Sequence, residues 1–206
     1  MGLSRLKASV LFLVVGLVIL FAGCVEPEKV EVKKPSAVEE TKTTSIPTPT
    51  STPTPTPTSA PRGTLNNPAS LGETVVVKIA DKTLEIKISD VIRGDKAYKL
   101  IKNANMFNPD PKQGYEYLLV KVKFAYTEGE GSYYVSSYNF KAYVGGAGYS
   151  PVWVILPKDK PEFEGVDLIP GGQTEGWIVF EVPQGKETLI AYEYLFEPVC
   201  FISVGK

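Results

Sequence analysis

Residues 64–206 predict an all-β fold, and three observations carry that prediction. Short apolar runs alternate with polar residues at a period of two, turns rich in Gly and Pro separate them about every ten to fifteen residues, and no convincing amphipathic helix interrupts them. The first two runs, 72–80 and 83–89, flank Asp81-Lys82; in the second, Leu84, Ile86 and Ile88 share one face, which makes the pair a hairpin. Between Arg93 and Pro111 the pattern breaks. That stretch is polar, holds Asn103, Asn105, Asn108 and two prolines, and reads as a long loop with room for a short strand at 98–101. Residues 115–126 form the clearest strand, with Leu118, Val120, Val122 and Phe124 inward and Lys121 and Lys123 outward. Strands over 134–144, 150–156, 176–182, 188–194 and 199–204 follow, punctuated by Gly129-Glu-Gly131, Gly145-Gly-Ala-Gly148, Pro170-Gly-Gly172 and Pro183-Gln-Gly185. About seven or eight such strands fit a two-sheet antiparallel β-sandwich of immunoglobulin type, with a closed barrel as the alternative.

Composition removes many chemistries. The 206 residues include no histidine, so Ser-His-Asp and Cys-His nucleophiles and imidazole metal centres are excluded. The 22 basic and 23 acidic residues give a formal net charge of −1 without a basic run, which leaves no electrostatic footprint for nucleic acid. No cofactor is implied.

Ahead of the domain lie two segments of other kinds. Arg5 and Lys7 precede an apolar run from Ala8 to Phe21 that ends in Ala22-Gly23-Cys24, the layout of a signal peptide over 1–23. The small-small-Cys ending resembles the lipobox of prokaryotic lipoproteins, which implies that Cys24 is lipidated and becomes the N-terminus. The alternative is an uncleaved span over 8–25, at the lower limit of what crosses about 30 Å of hydrocarbon. Both readings put the rest of the chain on the outer face of the cell membrane. Residues 24–63 read as a disordered linker whose alternating Thr and Pro favour an extended spacer, on the order of 80 Å between Pro35 and Pro61. With Cys24 assigned to lipid, Cys200 has no disulfide partner, and packing must hold the sheets together.

The lipobox, the low-complexity stalk, the run Gly114-Tyr-Glu-Tyr-Leu-Leu-Val-Lys-Val-Lys-Phe124 and the run Leu168-Ile-Pro-Gly-Gly-Gln-Thr-Glu-Gly-Trp-Ile-Val-Phe-Glu-Val-Pro183 occur together. This combination resembles a prokaryotic cell-surface domain family of unknown function, often mislabelled telomeric-repeat-binding-factor-like. The resemblance implies an immunoglobulin-like sandwich on a secreted or lipid-anchored protein and supplies no catalytic residue. In the second run, Pro170-Gly171-Gly172 allows a tight turn and Gly176 lets the chain pass close to a neighbour, while Ile178, Phe180 and Val182 alternate into the core.

Few residues suggest chemistry. Asp159, Glu162, Glu164 and Asp167 offer oxygens, but their spacing matches no calcium loop and a solvated turn is the plainer reading, so no metal site is assigned. Aromatic residues are more suggestive. If Phe180 and Phe140 face the core, alternation turns Trp177, Tyr133 and Tyr143 outward; together with Trp153 they form a candidate ligand-binding platform for an extracellular protein or carbohydrate. The expected function is a lipid-anchored, surface-exposed β-sandwich module with a binding or structural role and no catalytic site. The alternatives are a secreted hydrolase and a Ca²⁺-dependent adhesion module.

Overall fold

The computed structural model describes residues 61–206 and the backbone of Glu31–Lys33. The signal or anchor segment, Cys24 and the Thr/Pro run lie outside the described residues. The strands in chain order are β1 (Glu31–Lys33), β2 (Ala69–Ser70), β3 (Thr74–Ile79), β4 (Lys82–Arg93), β5 (Tyr115–Glu128), β6 (Tyr133–Val135), β7 (Phe140–Val144), β8 (Ala147–Tyr149), β9 (Val166–Leu168), β10 (Gly172–Pro183), β11 (Thr188–Tyr194) and β12 (Glu197–Gly205). One helix, α1 (Asp95–Ala104), lies between β4 and β5.

Two five-stranded sheets pack face to face. The first runs β1-β3-β4-β5-β10 and the second β2-β12-β11-β7-β8, with β6 and β9 as a separate pair. All neighbours are antiparallel except β2 and β12. Leu84, Ile86, Ile88, Leu118, Val120, Val122, Phe124, Ile178, Phe180 and Val182 fill the core from the first sheet, on the faces that alternation predicts. Phe140, Ala142, Val144, Ile190, Tyr192, Cys200 and Ile202 meet them from the second. This is the antiparallel sandwich expected, not a closed barrel.

Four stretches differ from expectation. Residues 95–104 form a helix instead of a loop with a short strand. Ala97, Leu100 and Ile101 share one face with lysines on the other, an amphipathic pattern confined to ten residues of a polar stretch; Asp95 in the first turn and Lys102 in the last complement the helix dipole. Ala97 and Ile101 pack on the outer face of the first sheet against Tyr117, Leu119, Trp177 and Val179, a second core. Residues 150–156 are extended but make no continuous ladder. Val152 N–H donates to Val179 O at 2.8 Å, but Ile155 N–H goes to buried Asn108 Oδ1 at 2.9 Å, and Pro151 and Pro157 lack donors. Residues 134–144 split into β6, a 3₁₀ turn over Ser137–Asn139 and β7; Ser136 N–H donates to Asn139 Oδ1 at 2.9 Å, an arrangement that starts the turn. Glu31–Lys33, inside the expected linker, is a strand on the edge of β3.

The register defines two ends of the sandwich. At one, Arg93 donates to Glu116 Oε1 at 2.5 Å, to Gly205 O at 2.8 Å and to Lys186 O at 3.2 Å, tying the sheets together. The β3–β4, β5–β6, β9–β10 and β11–β12 turns occupy the opposite end. There, Tyr192 packs against Phe124 with the rings tilted, and Gly171 N–H donates to Tyr126 O at 2.7 Å. Glu31 lies opposite Val76 and Lys33 opposite Thr74, so the chain enters β1 from this turn end.

Candidate functional site

The four expected binding aromatics separate. Trp177 faces away from the sandwich core as alternation requires, but it is only 4% exposed because α1 and Val154 cover that face. The Lys160 ammonium lies 4.9 Å from the centre of its ring, a cation–π contact. Tyr133 is also buried: its ring stacks on Phe124 at 6.0 Å and its hydroxyl is 2.6 Å from that of Tyr192. The 3₁₀ turn resets the strand phase between Phe140 and Tyr133, so alternation does not carry across it. Burial pushes the Tyr133 phenol above its ordinary pKa.

Tyr143 does face outward, on the second sheet, and is half-buried there. It packs edge-on against Phe201 and donates to Glu193 Oε1 at 2.8 Å; desolvation first, then the Glu193 carboxylate, push its pKa up to about 12. Lys141 pairs with the same buried carboxylate at 3.1 Å, so the polar groups of this face already satisfy one another.

Trp153 is the one of the four that is open to solvent, at 76% exposure, because the segment carrying it lies beyond the β10 edge instead of within a sheet. It shares the rim of a cleft of about 60 Å³ with Tyr138, which is 79% exposed; Pro151, Glu162, Phe163 and Trp177 are among the other lining residues. That volume is far below the roughly 300 Å³ of an enclosed small-molecule site. The arrangement suits contact with a surface or a chain laid across the two rings. Sequence reasoning missed Tyr138; its signal is Ser136-Ser-Tyr-Asn139, turn-forming residues around an aromatic.

The acidic residues of the 159–167 segment go to different places. Asp159 pairs with Lys160 at 3.6 Å, Glu162 bridges to Trp177, and Asp167 lies in β9 opposite Tyr134. Among the described residues no group of three or more Asp, Glu, Cys or His side chains comes together to hold a metal ion. Cys200 is buried in the core, and desolvation pushes its thiol up to about 12, which leaves it unreactive at neutral pH.

Residues 69–203 match the family model DUF4352, a domain of unknown function. Among solved structures, the chain is similar to MPT63, a secreted protein from Mycobacterium tuberculosis, at 17% identity over 71% of this chain and 98% of that one, with a TM-score of 0.49. It is also similar to the candidate lipoprotein ycdA from Bacillus subtilis, at 20% identity over 61% of this chain and 36% of that one, with a TM-score of 0.44. A β-sandwich protein from Clostridium difficile 630 aligns at 12% identity over 72% of this chain and 99% of that one, with a TM-score of 0.36. The alignment thus spans only 36% of the length of the Bacillus protein. No curated protein matches the sequence.

Proposed function

The chain belongs to the DUF4352 family, and on that premise we propose that it is a binding module held on the outer face of the cell membrane by lipid on Cys24 or by a span over 8–25. The module engages an extracellular protein or carbohydrate through the rings of Trp153 and Tyr138 and carries out no catalysis. The observation behind this reading is that two large aromatic side chains, each about three-quarters exposed, flank one cleft. Rings in that position offer rigid contact area at low entropy cost. The basic residues before the apolar run support the outward orientation.

Fluorescence tests the binding role directly, because Trp177 is buried and Trp153 is the tryptophan a ligand would reach. Titration of the full chain with soluble cell-wall glycan fragments and with a panel of extracellular peptides should shift or quench the Trp153 emission for one class, and Tyr138→Ala, which keeps the reporter, should abolish that response. No response from either class would refute the binding reading. Release of products from the glycan would favour a hydrolase, and loss of the signal with chelator would favour a Ca²⁺-dependent module. Intact mass of the membrane-extracted protein tests the anchor: cleavage before Cys24 with added lipid supports the lipoprotein, and an intact N-terminus supports the span.

A further inference from the structure

The β11–β12 hairpin turns on two residues, Leu195 and Phe196, both in the left-handed region with φ of 50° and 68°. A two-residue turn with positive φ at both positions favours Asn-Gly; a Leu-Phe pair there strains the backbone and gives up the polar side chains such turns prefer. The side chains gain little from the domain in return, since Leu195 is 73% and Phe196 is 93% exposed. Ile169, in the β9–β10 turn at the same end, is 68% exposed. Apolar tips and stored backbone strain together mark a surface built for contact.

The direction of β1 identifies what this end meets. The chain enters β1 from the turn end, and Cys24 lies seven residues before Glu31, a reach of at most about 25 Å when fully extended. The Thr/Pro run follows Lys33 in the chain and so adds no length between Cys24 and β1. Resting on the anchored reading above, we infer that the turn end of the sandwich docks on the lipid bilayer that holds the anchor, with Phe196, Leu195 and Ile169 inserted into the interface. Asp81, Glu130 and Glu197 lie in or beside these turns and outnumber Lys82, which is engaged by Asp81 and the Glu130 carbonyl, so docking is apolar and does not depend on anionic lipid. The Trp153 cleft, on the flank of the sandwich, remains free for a partner.

The test uses the full chain reconstituted into phosphatidylcholine vesicles. An environment-sensitive fluorophore is placed on Glu197→Cys, beside the tip, or on Lys186→Cys, at the opposite end; Cys24 is blocked by its lipid, or replaced by Ser where the anchor is the span, and buried Cys200 does not compete for the label. Nitroxides on the lipid chains should quench the Glu197→Cys label by more than half and leave the Lys186→Cys label unaffected. Adding Leu195→Asn and Phe196→Gly, which suit the turn and preserve folding, should abolish the quenching. Vesicle flotation with an unquenched Glu197→Cys label overturns the docking while the anchor stands. A label shielded only at high protein-to-lipid ratio, without lipid quenching, assigns the tip to a second copy of the chain instead and likewise overturns it. A chain that does not float with the vesicles overturns both the anchor and the docking.

Discussion

Replacing Leu195-Phe196 by Asn-Gly should make the protein more stable, although it removes two large apolar side chains. Holding a residue other than Gly in the left-handed region costs about 1–2 kcal/mol, least for Asn, so the double substitution relieves on the order of 2 kcal/mol of strain. Two terms oppose the gain. Gly adds freedom to the unfolded chain, worth about 0.5–1 kcal/mol, and truncating Leu195, about a quarter of which is covered, gives up about 0.5 kcal/mol of burial. Phe196 is 93% exposed and has almost no burial to lose. The net stabilisation is about 1 kcal/mol, which for a domain of this size raises the melting temperature by about 2–4 °C. Thermal and urea unfolding of the detergent-solubilised full chain measures it. Leu195→Ala with Phe196→Ala provides the control, because alanine keeps the positive-φ demand and should bring no gain. A double Asn-Gly variant no more stable than the original would refute the reasoning, since it would mean that the turn is unstrained or that the two side chains pack against something within the protein.

The two tryptophans should respond in opposite ways: Trp177→Ala should destabilise by about 3–5 kcal/mol, because it empties the layer between α1 and the first sheet, and Trp153→Ala by less than about 0.5 kcal/mol, both read by urea unfolding. Gly176→Ala should cost about 3 kcal/mol by the same measurement, since a Cβ there would stand 2.5 Å from Glu162 O and from the Phe163 N and Cα atoms, all of which are backbone. Arg93→Met should cost about 3–5 kcal/mol by leaving Glu116 buried without its partner and releasing the carbonyls of Gly205 and Lys186. Cys200 and Tyr143 both have folded-state pKa values raised to about 12, from ordinary values of 9.0 and 10.0. Each favours its neutral form in the folded protein, so their contribution is complete below about pH 9 and is lost as pH rises toward 12; the melting temperature should fall across that window, and Tyr143→Phe should flatten the upper part of the fall.

The sandwich was largely legible because half-buried strands carry their own record. In 83–89, 115–126 and 176–182 alternating residues enter the sandwich core, and the structure places Leu84, Val122 and Phe180 where the alternation put them. Gly176 was readable for a related reason: a strand glycine beside a turn motif implies a close neighbour, here the backbone at Phe163. The helix was missed because its pattern spans only ten residues inside a polar, asparagine-bearing stretch, and it is held by a few apolar side chains docked on a sheet that forms elsewhere in the chain. The same layer hid Trp177. Alternation determines which side of a strand a residue faces, and says nothing about whether another segment covers that side. Tyr133 failed differently, since a turn of three residues broke the phase on which the inference depended.

The sequence by itself determined the all-β class, the faces of the long strands and the exclusion of histidine chemistry, because these depend on local periodicity and composition along the chain. Only the tertiary structure decided which aromatics meet solvent, that residues 31–33 join the sheet edge, and that Leu195, Phe196 and Ile169 share one end of the sandwich. Those outcomes depend on which segments, distant in sequence, pack over or beside one another, and burial is a property of the neighbour as much as of the residue itself.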